Sequence, residues 1–187
     1  MSGVMGSLKL EPALTRLDLL AAPVAAALDV WPAEAPVDAE QVMVAPIDAD
    51  LADTAAFCEA YGVRMEESAN CVIVAGRRGE TTRYAACVIL ATTRADVNGL
   101  VRKFLDARKA SFAPMDDAVR LTDMEYGGIT PIGLPASWPV LVDARVVATP
   151  HVIIGSGVRH SKIAIAGPAL GALPGAEVIE GLAREAN

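Results

Sequence analysis

The segment MEYGGITPIGLP, residues 124–135, combines three glycines and two prolines with no charged residue after Glu125. Glycine lets backbone N–H groups approach a bound molecule because no Cβ stands in the way, and proline stiffens the chain by fixing φ. A stiff loop of this kind can present main-chain donors to a carbonyl oxygen, or to the negative charge that develops on it during acyl transfer. The alternative is a buried tight connection in which the glycines only permit turns.

Three further segments contain polar groups with chemical potential. Asp143 ends the apolar run VLVD, where a carboxylate serves either a local turn or the orientation of a hydroxyl, an amine or a water. The segment GSGVRHSK, residues 155–162, could hold a phosphate or ribose through backbone donors, although it lacks P-loop spacing. Lys109 is equally suited to a phosphate contact and to plain solvent exposure, and Phe112 in the same segment is expected in the core.

The cysteines and histidines predict neither a metal site nor a cofactor. Cys58, Cys71 and Cys87 are odd in number, lack CxxC spacing and have apolar neighbours, which is typical of reduced core thiols. A reactive thiol is the less favoured alternative, because buried cysteines are usually inert. The two histidines and the cysteines show no zinc-ligand spacing, so we expect no metal and no cofactor.

The charge is unevenly distributed along the chain. The net charge of −7 argues against a nucleic-acid partner. However, residues 1–67 hold 12 acidic and 3 basic side chains, whereas residues 77–109 hold 8 basic and 3 acidic ones. The basic stretch is either a set of solvated faces or a surface for a polyanion.

No apolar run approaches the ~18 residues of a membrane span, and the N-terminus is a poor signal peptide, which predicts a cytoplasmic protein without a membrane partner.

The hydrophobic pattern predicts one α+β domain with a mixed sheet and helices packed against it. Short runs of Ala, Val, Leu and Ile are separated by Gly and Pro, and 187 residues suffice for one core. Gly79 is expected in the turn of a hairpin, and the second strand of that hairpin is expected at the centre of the sheet. Helices are predicted over 13–29, 48–62, 95–107 and 114–122, and strands over 41–47, 70–76, 81–92, 139–148, 151–157 and 162–167, followed by a short helix and an edge strand within 168–183.

The order of three segments resembles a known family. The segments RKASFAPMDDAVRLTDMEYGGITPIGLP, VLVDARV and IIGSGVRHSKIAIAGPAL follow one another as in the YbaK/EbsC aminoacyl-tRNA editing domains. These include free-standing deacylases and the editing insertion of bacterial-type prolyl-tRNA synthetases. The resemblance covers roughly 48–181, so 1–187 is expected to form a single domain in which 1–47 is a helical and strand extension.

The resemblance implies a strongly curved mixed β-sheet with surrounding helices, and a pocket for the aminoacylated 3′ end of tRNA. It implies trans-editing: hydrolysis of the ester in mischarged tRNA by water, with help from the ribose hydroxyl and from backbone amides. A compact pocket suits small amino acids such as Ala, Cys or Ser. The implied partners are the aminoacyl-tRNA 3′ end and, as a further candidate, an aminoacyl-tRNA synthetase. The implied catalytic residues are Gly127, Gly128, Thr130, Pro131 and Asp143, and the implied substrate-binding residues are Asn70, Lys109, Ser111, Ile129, Gly155, Ser156, Gly157 and His160.

One position departs from the family pattern. Asn70 stands where the family has a lysine that meets the tRNA end, so a charge-assisted contact is lost there. Three alternatives follow from this loss. Lys109 or an arginine of GRRGETTR takes over the contact, the substrate is an ester of something other than tRNA, or the chain binds aminoacyl-adenosine without hydrolysing it.

Overall fold

In the computed structural model, which describes residues 5–186, strands and helices alternate irregularly along the chain. The α-helices are α1 (Ala22–Asp29), α2 (Thr54–Tyr61), α3 (Arg102–Phe104), α4 (Met115–Thr122), α5 (Ala144–Val147) and α6 (Gly167–Leu170). The strands are β1 (Glu11–Pro12), β2 (Met43–Pro46), β3 (Ala69–Arg78), β4 (Thr81–Leu90), β5 (Thr93–Ala95), β6 (Lys109–Phe112), β7 (Val140–Asp143), β8 (Val152–Gly155), β9 (Ser161–Ile165), β10 (Ala176–Ile179) and β11 (Ala183–Glu185).

The strands form two larger sheets and one small ribbon. One sheet has the order β1-β2-β9-β8 and is antiparallel throughout, while the other has the order β10-β7-β4-β3-β6. Within the second sheet β7 runs parallel to both β4 and β10, so this sheet is mixed. An isolated bridge between Ser68 and Ile153 joins the two sheets, and β11 pairs with β5. The predicted mixed α/β architecture is confirmed, with its strands divided between two joined sheets.

The predicted hairpin is confirmed in detail. β3 and β4 pair in register along their whole length, from Ala69 opposite Leu90 to Arg78 opposite Thr81. Gly79 lies in the turn with φ +60°, a conformation that glycine adopts without strain. β4 lies between β7 and β3, as its apolar faces predicted.

Several predicted elements differ from the structure, among them the helix predicted over 48–62, which is a 3-10 turn (Ala49–Leu51) followed by α2. Residues 13–29 form two 3-10 turns and then α1, because Pro23 lacks an N–H and fits only the first turn of a helix. The predicted strand 139–148 stops at Asp143, whose carboxylate accepts the Arg145 N–H and so caps α5. The predicted helix 95–107 is a π-helical turn over Val97–Val101 that continues into α3.

The apolar side chains on the two faces of β9 enter different clusters. Ile163 and Ile165 enter the largest cluster, which joins the two sheets. Ala164 faces the opposite way, into a smaller cluster with Phe57 on α2. Because side chains alternate along a strand, Lys162 points toward α2 as Ala164 does.

Candidate functional site

A cavity of about 490 Å³ lies where the two sheets meet. Its volume is within the range of small-molecule sites. The lining comes from the approach to α2, the first half of β3, the end of β6, α4, the glycine-rich loop and the β8–β9 hairpin. These residues are Ala52, Asp53, Thr54, Ala69, Asn70, Cys71, Val72, Ile73, Phe112, Ala113, Ala118, Tyr126, Gly127, Ile129, Gly155, Arg159 and Lys162.

One wall of the cavity is the first half of β3. β6 pairs only with Val74–Arg77, so β6 does not cover the preceding residues of β3, which line the cavity. Asn70 lies there, and its side-chain oxygen accepts a hydrogen bond from the Thr54 hydroxyl at 2.7 Å. The Asn70 side chain carries no charge, and its oxygen already accepts a hydrogen bond from a protein group.

A second wall is built from closely packed main chain. A Cβ on Gly155 would overlap the Gly128 carbonyl oxygen, and a Cβ on Gly128 would overlap the backbone of Val158. The Gly157 N–H donates to the Gly128 oxygen at 2.7 Å, and the Glu125 N–H donates to the Gly157 oxygen at 2.8 Å. The two glycine-rich segments of the sequence thus pack against each other, backbone to backbone, and only glycine permits this distance.

Some amides of this wall remain available to a ligand. The Gly128 N–H donates to the Glu125 oxygen at 2.9 Å. Within residues 5–186, no hydrogen-bond acceptor is found for the N–H of Gly127 or of Ile129, and both residues line the cavity. Unpaired amides beside a cavity are suited to hold a carbonyl oxygen or an oxyanion.

Three charged side chains line the cavity: Asp53, Arg159 and Lys162. The Arg159 guanidinium donates to the backbone oxygens of Tyr126 and Ala49, both at 3.1 Å, and so ties the glycine-rich loop to the segment before α2. The Lys162 ammonium donates to the Ala52 oxygen at 3.0 Å and lies 5.3 Å from the centre of the Phe57 ring. Burial lowers the pKa of Lys162 from its ordinary value.

Cys71 lines the cavity, and its environment disfavours the thiolate. Burial raises the pKa of Cys71 far above the ordinary value and raises that of Cys87 to about 12. The cavity lining contains no histidine that could act as a base. Among the described residues, no group of three or more His, Cys, Asp and Glu side chains could hold a metal ion.

Four of the predicted site residues line the cavity, and the others lie elsewhere. The four are Asn70, Gly127, Ile129 and Gly155. Lys109 and Ser111 are exposed on β6 outside the lining, whereas Phe112, which was predicted in the core, is 60% exposed and lines the cavity. That prediction for Phe112 was wrong, because the chain from β6 to α4 borders the cavity rather than crossing the core.

Asp143 lies outside the cavity lining and is 1% exposed. Its oxygens accept from the Arg145 N–H at 2.9 Å, from Arg145 Nε at 3.1 Å and from the Ala183 N–H at 2.9 Å. These contacts cap α5 and bind the start of β11. The structure thus gives the Asp143 carboxylate structural contacts, and its predicted role of orienting the substrate stays a prediction.

The predicted residues of the 155–162 hairpin also have structural contacts. The Ser156 hydroxyl is buried and lies 2.6 Å from the Ser161 hydroxyl. A Cβ on Gly157, which has φ +87°, would overlap Ala21. His160 is exposed, with Nε2 3.3 Å from the Asp18 oxygen. None of the three predicted residues lines the cavity.

The remaining predicted residues of the glycine-rich loop lie behind the cavity wall. Gly128, Thr130 and Pro131 are buried and outside the lining. Among the described protein groups, the Thr130 hydroxyl has no hydrogen-bond partner.

The sequence reasoning named none of the charged lining residues as site residues, although Arg159 and Lys162 lie within the segment 155–162 that it proposed for a phosphate or ribose. The sequence does contain one indication for Lys162. It is a lysine in the short apolar strand KIAIAG, where no exposed face is expected for a charged side chain. Asp53 and Arg159 left no comparable signal, because acidic helix starts and charged turns are common.

The site and fold together define a mixed α/β protein with a ligand cavity bounded by main chain, small side chains and a few charged groups. A family model described as the aminoacyl-tRNA editing domain matches residues 48–173, and the chain belongs to that family. No curated protein matches the chain in sequence at a significant level.

Similar solved structures show the same fold. One is described provisionally as a trans-editing enzyme for prolyl tRNA synthetase, with a TM-score of 0.70, 19% identity, and coverage of 89% of this chain and 97% of that one. Another comes from epitope backbone grafting onto scaffold proteins, with a TM-score of 0.71, 19% identity, and the same coverage of 89% and 97%. A hypothetical protein gives a TM-score of 0.66 at 20% identity, covering 75% of this chain and 90% of that one. In the described part of the chain, no helix has the length and hydropathy of a membrane span.

Proposed function

We propose that the protein hydrolyses the ester bond of mischarged aminoacyl-tRNA in trans, with water as the nucleophile. The observation that carries this proposal is the cavity wall at Gly127 and Ile129, whose amides have no acceptor within residues 5–186. Two such donors would hold the ester carbonyl and stabilise the oxyanion that forms on it. Removal of one oxyanion-hole donor commonly costs a factor of about 10² or more in rate.

The absence of an activated nucleophile in the lining supports attack by water. The raised pKa of Cys71 leaves almost no thiolate at neutral pH, and no histidine lines the cavity. The terminal ribose hydroxyl of the substrate would then assist proton transfer, while the protein positions the reacting groups.

The size and lining of the cavity support a small aminoacyl group on a terminal adenosine. Ala52, Ala69 and Ala118 bring only methyl groups to the cavity, so a short side chain such as that of Ala, Cys or Ser would fit beside them. Phe112 and Tyr126 also line the cavity while remaining 60% and 57% exposed, so their rings lie near its mouth. Exposed aromatic rings at such a place would stack on the terminal adenine.

The direct test is deacylation of a panel of mischarged tRNAs by the purified protein. The site variant is Gly127→Val, because the residue has φ +86° and a Cβ there would displace the Arg159 guanidinium, which donates to the backbone oxygens of Tyr126 and Ala49. The matched control is Gly79→Val, which places the same side chain at φ +60° in the β3–β4 turn, where nothing lies within 4 Å. We expect the wild type and the control variant to deacylate at least one tRNA, and Gly127→Val to lose most of that rate.

Two results would contradict the proposal. Wild-type rates equal to the buffer rate on every tRNA would exclude deacylation; tight binding of an uncleavable aminoacyl-adenosine in that case would indicate a binding module. Hydrolysis of small esters at rates indifferent to the tRNA would indicate an esterase of another kind.

A further inference from the structure

Lys162 is a buried ammonium whose donors are mostly unused. The residue is 8% exposed and lines the cavity. A protonated lysine carries three N–H donors, and among the described groups only the Ala52 oxygen, at 3.0 Å, accepts from it. Buried charges in proteins are normally paired or coordinated, so two unused donors facing a cavity indicate a ligand.

The charged and titratable groups around Lys162 do not neutralise it. No carboxylate in residues 5–186 lies within 4.0 Å of its ammonium. Cys58 and Asp53 act on it at longer range in the direction that favours the charge, and Arg159 acts in the opposite direction. The Phe57 ring on the side toward α2 adds a cation–π contact at 5.3 Å, which orients the ammonium without cancelling its charge.

The neighbours of Lys162 in the sheet leave space beside its side chain. Lys162 pairs with Gly155 on β8 and with Ala45 on β2. Gly155 has no side chain, so the cavity extends to the lysine on that side.

We propose that Lys162 binds the phosphate that links the terminal adenosine to the rest of the tRNA. The inference rests on the proposed function, which defines the groups that the substrate brings. An aminoacyl-adenosine end offers an α-ammonium, an ester, hydroxyls, a neutral base and the 5′-phosphate, and the phosphate is its only anion. A desolvated ammonium attracts this group and repels the α-ammonium.

Other basic residues are less well placed for this contact. Asn70 brings no charge and accepts a hydrogen bond from Thr54. Lys109 is exposed on β6 and does not line the cavity, and neither do the arginines of the β3–β4 hairpin. Arg159 lines the cavity, but it is less buried than Lys162, and its guanidinium is held by the backbone oxygens of Tyr126 and Ala49.

The test compares the binding of two probes by NMR titration: adenosine, and adenosine 5′-monophosphate methyl ester, which carries one negative charge as the phosphate in tRNA does. We expect the wild type to bind the phosphate ester at least about tenfold more tightly than adenosine. Lys162→Met, which keeps the length of the side chain, should bind both probes equally. Lys162→Gln tests the same loss with a polar side chain, in case the methionine variant folds poorly. Lys9→Met, at an exposed lysine outside the cavity lining, is the control and should keep the wild-type preference.

The deacylation assay separates this inference from the proposed function. Lys162→Met should slow hydrolysis of aminoacyl-tRNA about tenfold or more, but should not slow hydrolysis of 3′-aminoacyl-adenosine, which lacks the phosphate. Equal loss on both substrates would place Lys162 at the ester carbonyl and overturn the proposal. Equal binding of the two probes by the wild type would also overturn it. A wild type that fails to deacylate any tRNA but shows the Lys162-dependent preference would leave this inference standing and remove the proposed function.

Discussion

Asp143 and Lys162 are both buried charged residues at the ends of strands, and their surroundings are opposite. The Asp143 carboxylate, 1% exposed, accepts from Arg145 and from Ala183 and lies outside the cavity. The Lys162 ammonium, 8% exposed, donates to one backbone oxygen and borders the cavity. The carboxylate joins elements that are 40 residues apart, whereas the ammonium has unused donors.

The difference separates two reasons for keeping a charge inside a protein. A charge whose partners are all internal contributes to stability, and its loss leaves those partners unsatisfied. A charge without an internal counter-ion opposes folding, and a bound ligand of opposite sign can offset that cost. Asp143 fits the first description and Lys162 fits the second.

The largest effect is expected from Asp143→Ala. The variant removes the α5 cap and leaves the buried Ala183 N–H without its acceptor, so the free energy of unfolding should fall by about 2–4 kcal/mol. Urea unfolding measures this change, and Asp143→Asn, which keeps one oxygen acceptor, should lose less. Below its unfolding transition the alanine variant should deacylate within about threefold of the wild-type rate. An Asp143→Ala variant with wild-type stability and no activity would show that Asp143 serves the reaction and not the stability of the fold.

Lys162→Met should leave the free energy of unfolding at pH 7 unchanged or raise it by about 1–2 kcal/mol. The pKa of Lys162 is lower in the folded protein than in the unfolded chain, so the unfolded state binds more protons between the two values. Wild-type stability therefore gains from rising pH across that window, up to about pH 10.4, and the variant lacks this gain. The measurement is the difference between the two proteins in urea unfolding at pH 7 and near pH 10. A variant that is less stable at pH 7 by several kcal/mol would mean that Lys162 is internally compensated, as Asp143 is.

Cys71→Ala tests whether a nucleophile is hidden in the cavity. Because burial raises the thiol pKa, iodoacetamide should modify Cys71 much more slowly than a free cysteine at pH 8. The deacylation rate of the alanine variant should stay within about threefold of wild type, with a cost in stability of about 1 kcal/mol. A loss of about 10³ or more in rate would identify a covalent mechanism.

The smallest effect is expected from Thr130→Val, which tests whether a buried unpaired polar group matters when it does not border the cavity, as Lys162 does. The Thr130 hydroxyl is also buried without a partner among the described groups, but it lies outside the cavity lining. Replacing it with a methyl group should change the free energy of unfolding by at most about 1 kcal/mol, in the stabilising direction, and leave deacylation unchanged. A marked loss of activity would mean that this hydroxyl takes part in the reaction.

The sequence predicted the elements better than it predicted the site. Hydrophobic runs and turn residues located β3, β4, β8 and β9, because those signals are local. One partner of the Asp143 carboxylate is the N–H of Ala183, 40 residues away, and no local pattern could indicate that contact. The face of the sheet on which the Lys162 side chain lies depends on the register of β9 between β2 and β8, and a single sequence does not determine that register.

The motif order pointed to the glycine-rich loop, part of which lines the cavity, but the contacts within the loop differ from those expected. Gly128 and Gly157 were expected to present donors to the substrate. In the structure the Gly157 N–H is taken up by the Gly128 oxygen and the Gly128 N–H by the Glu125 oxygen, whereas the N–H groups of Gly127 and Ile129 have no acceptor among the described residues. Which amide of a glycine-rich loop stays free depends on how two loops dock together, and that is decided by tertiary packing.

The main-chain contact between Gly128 and Gly155 limits how the cavity of this protein could be redesigned. A wall made of peptide groups has no rotamers to exchange, and adding even a methyl group would separate the two loops. Variation is open where the lining presents side chains, as Val72 on β3 and Ala118 on α4 do. A library that changes the volume of the cavity should therefore leave both glycines fixed and vary β3 and α4.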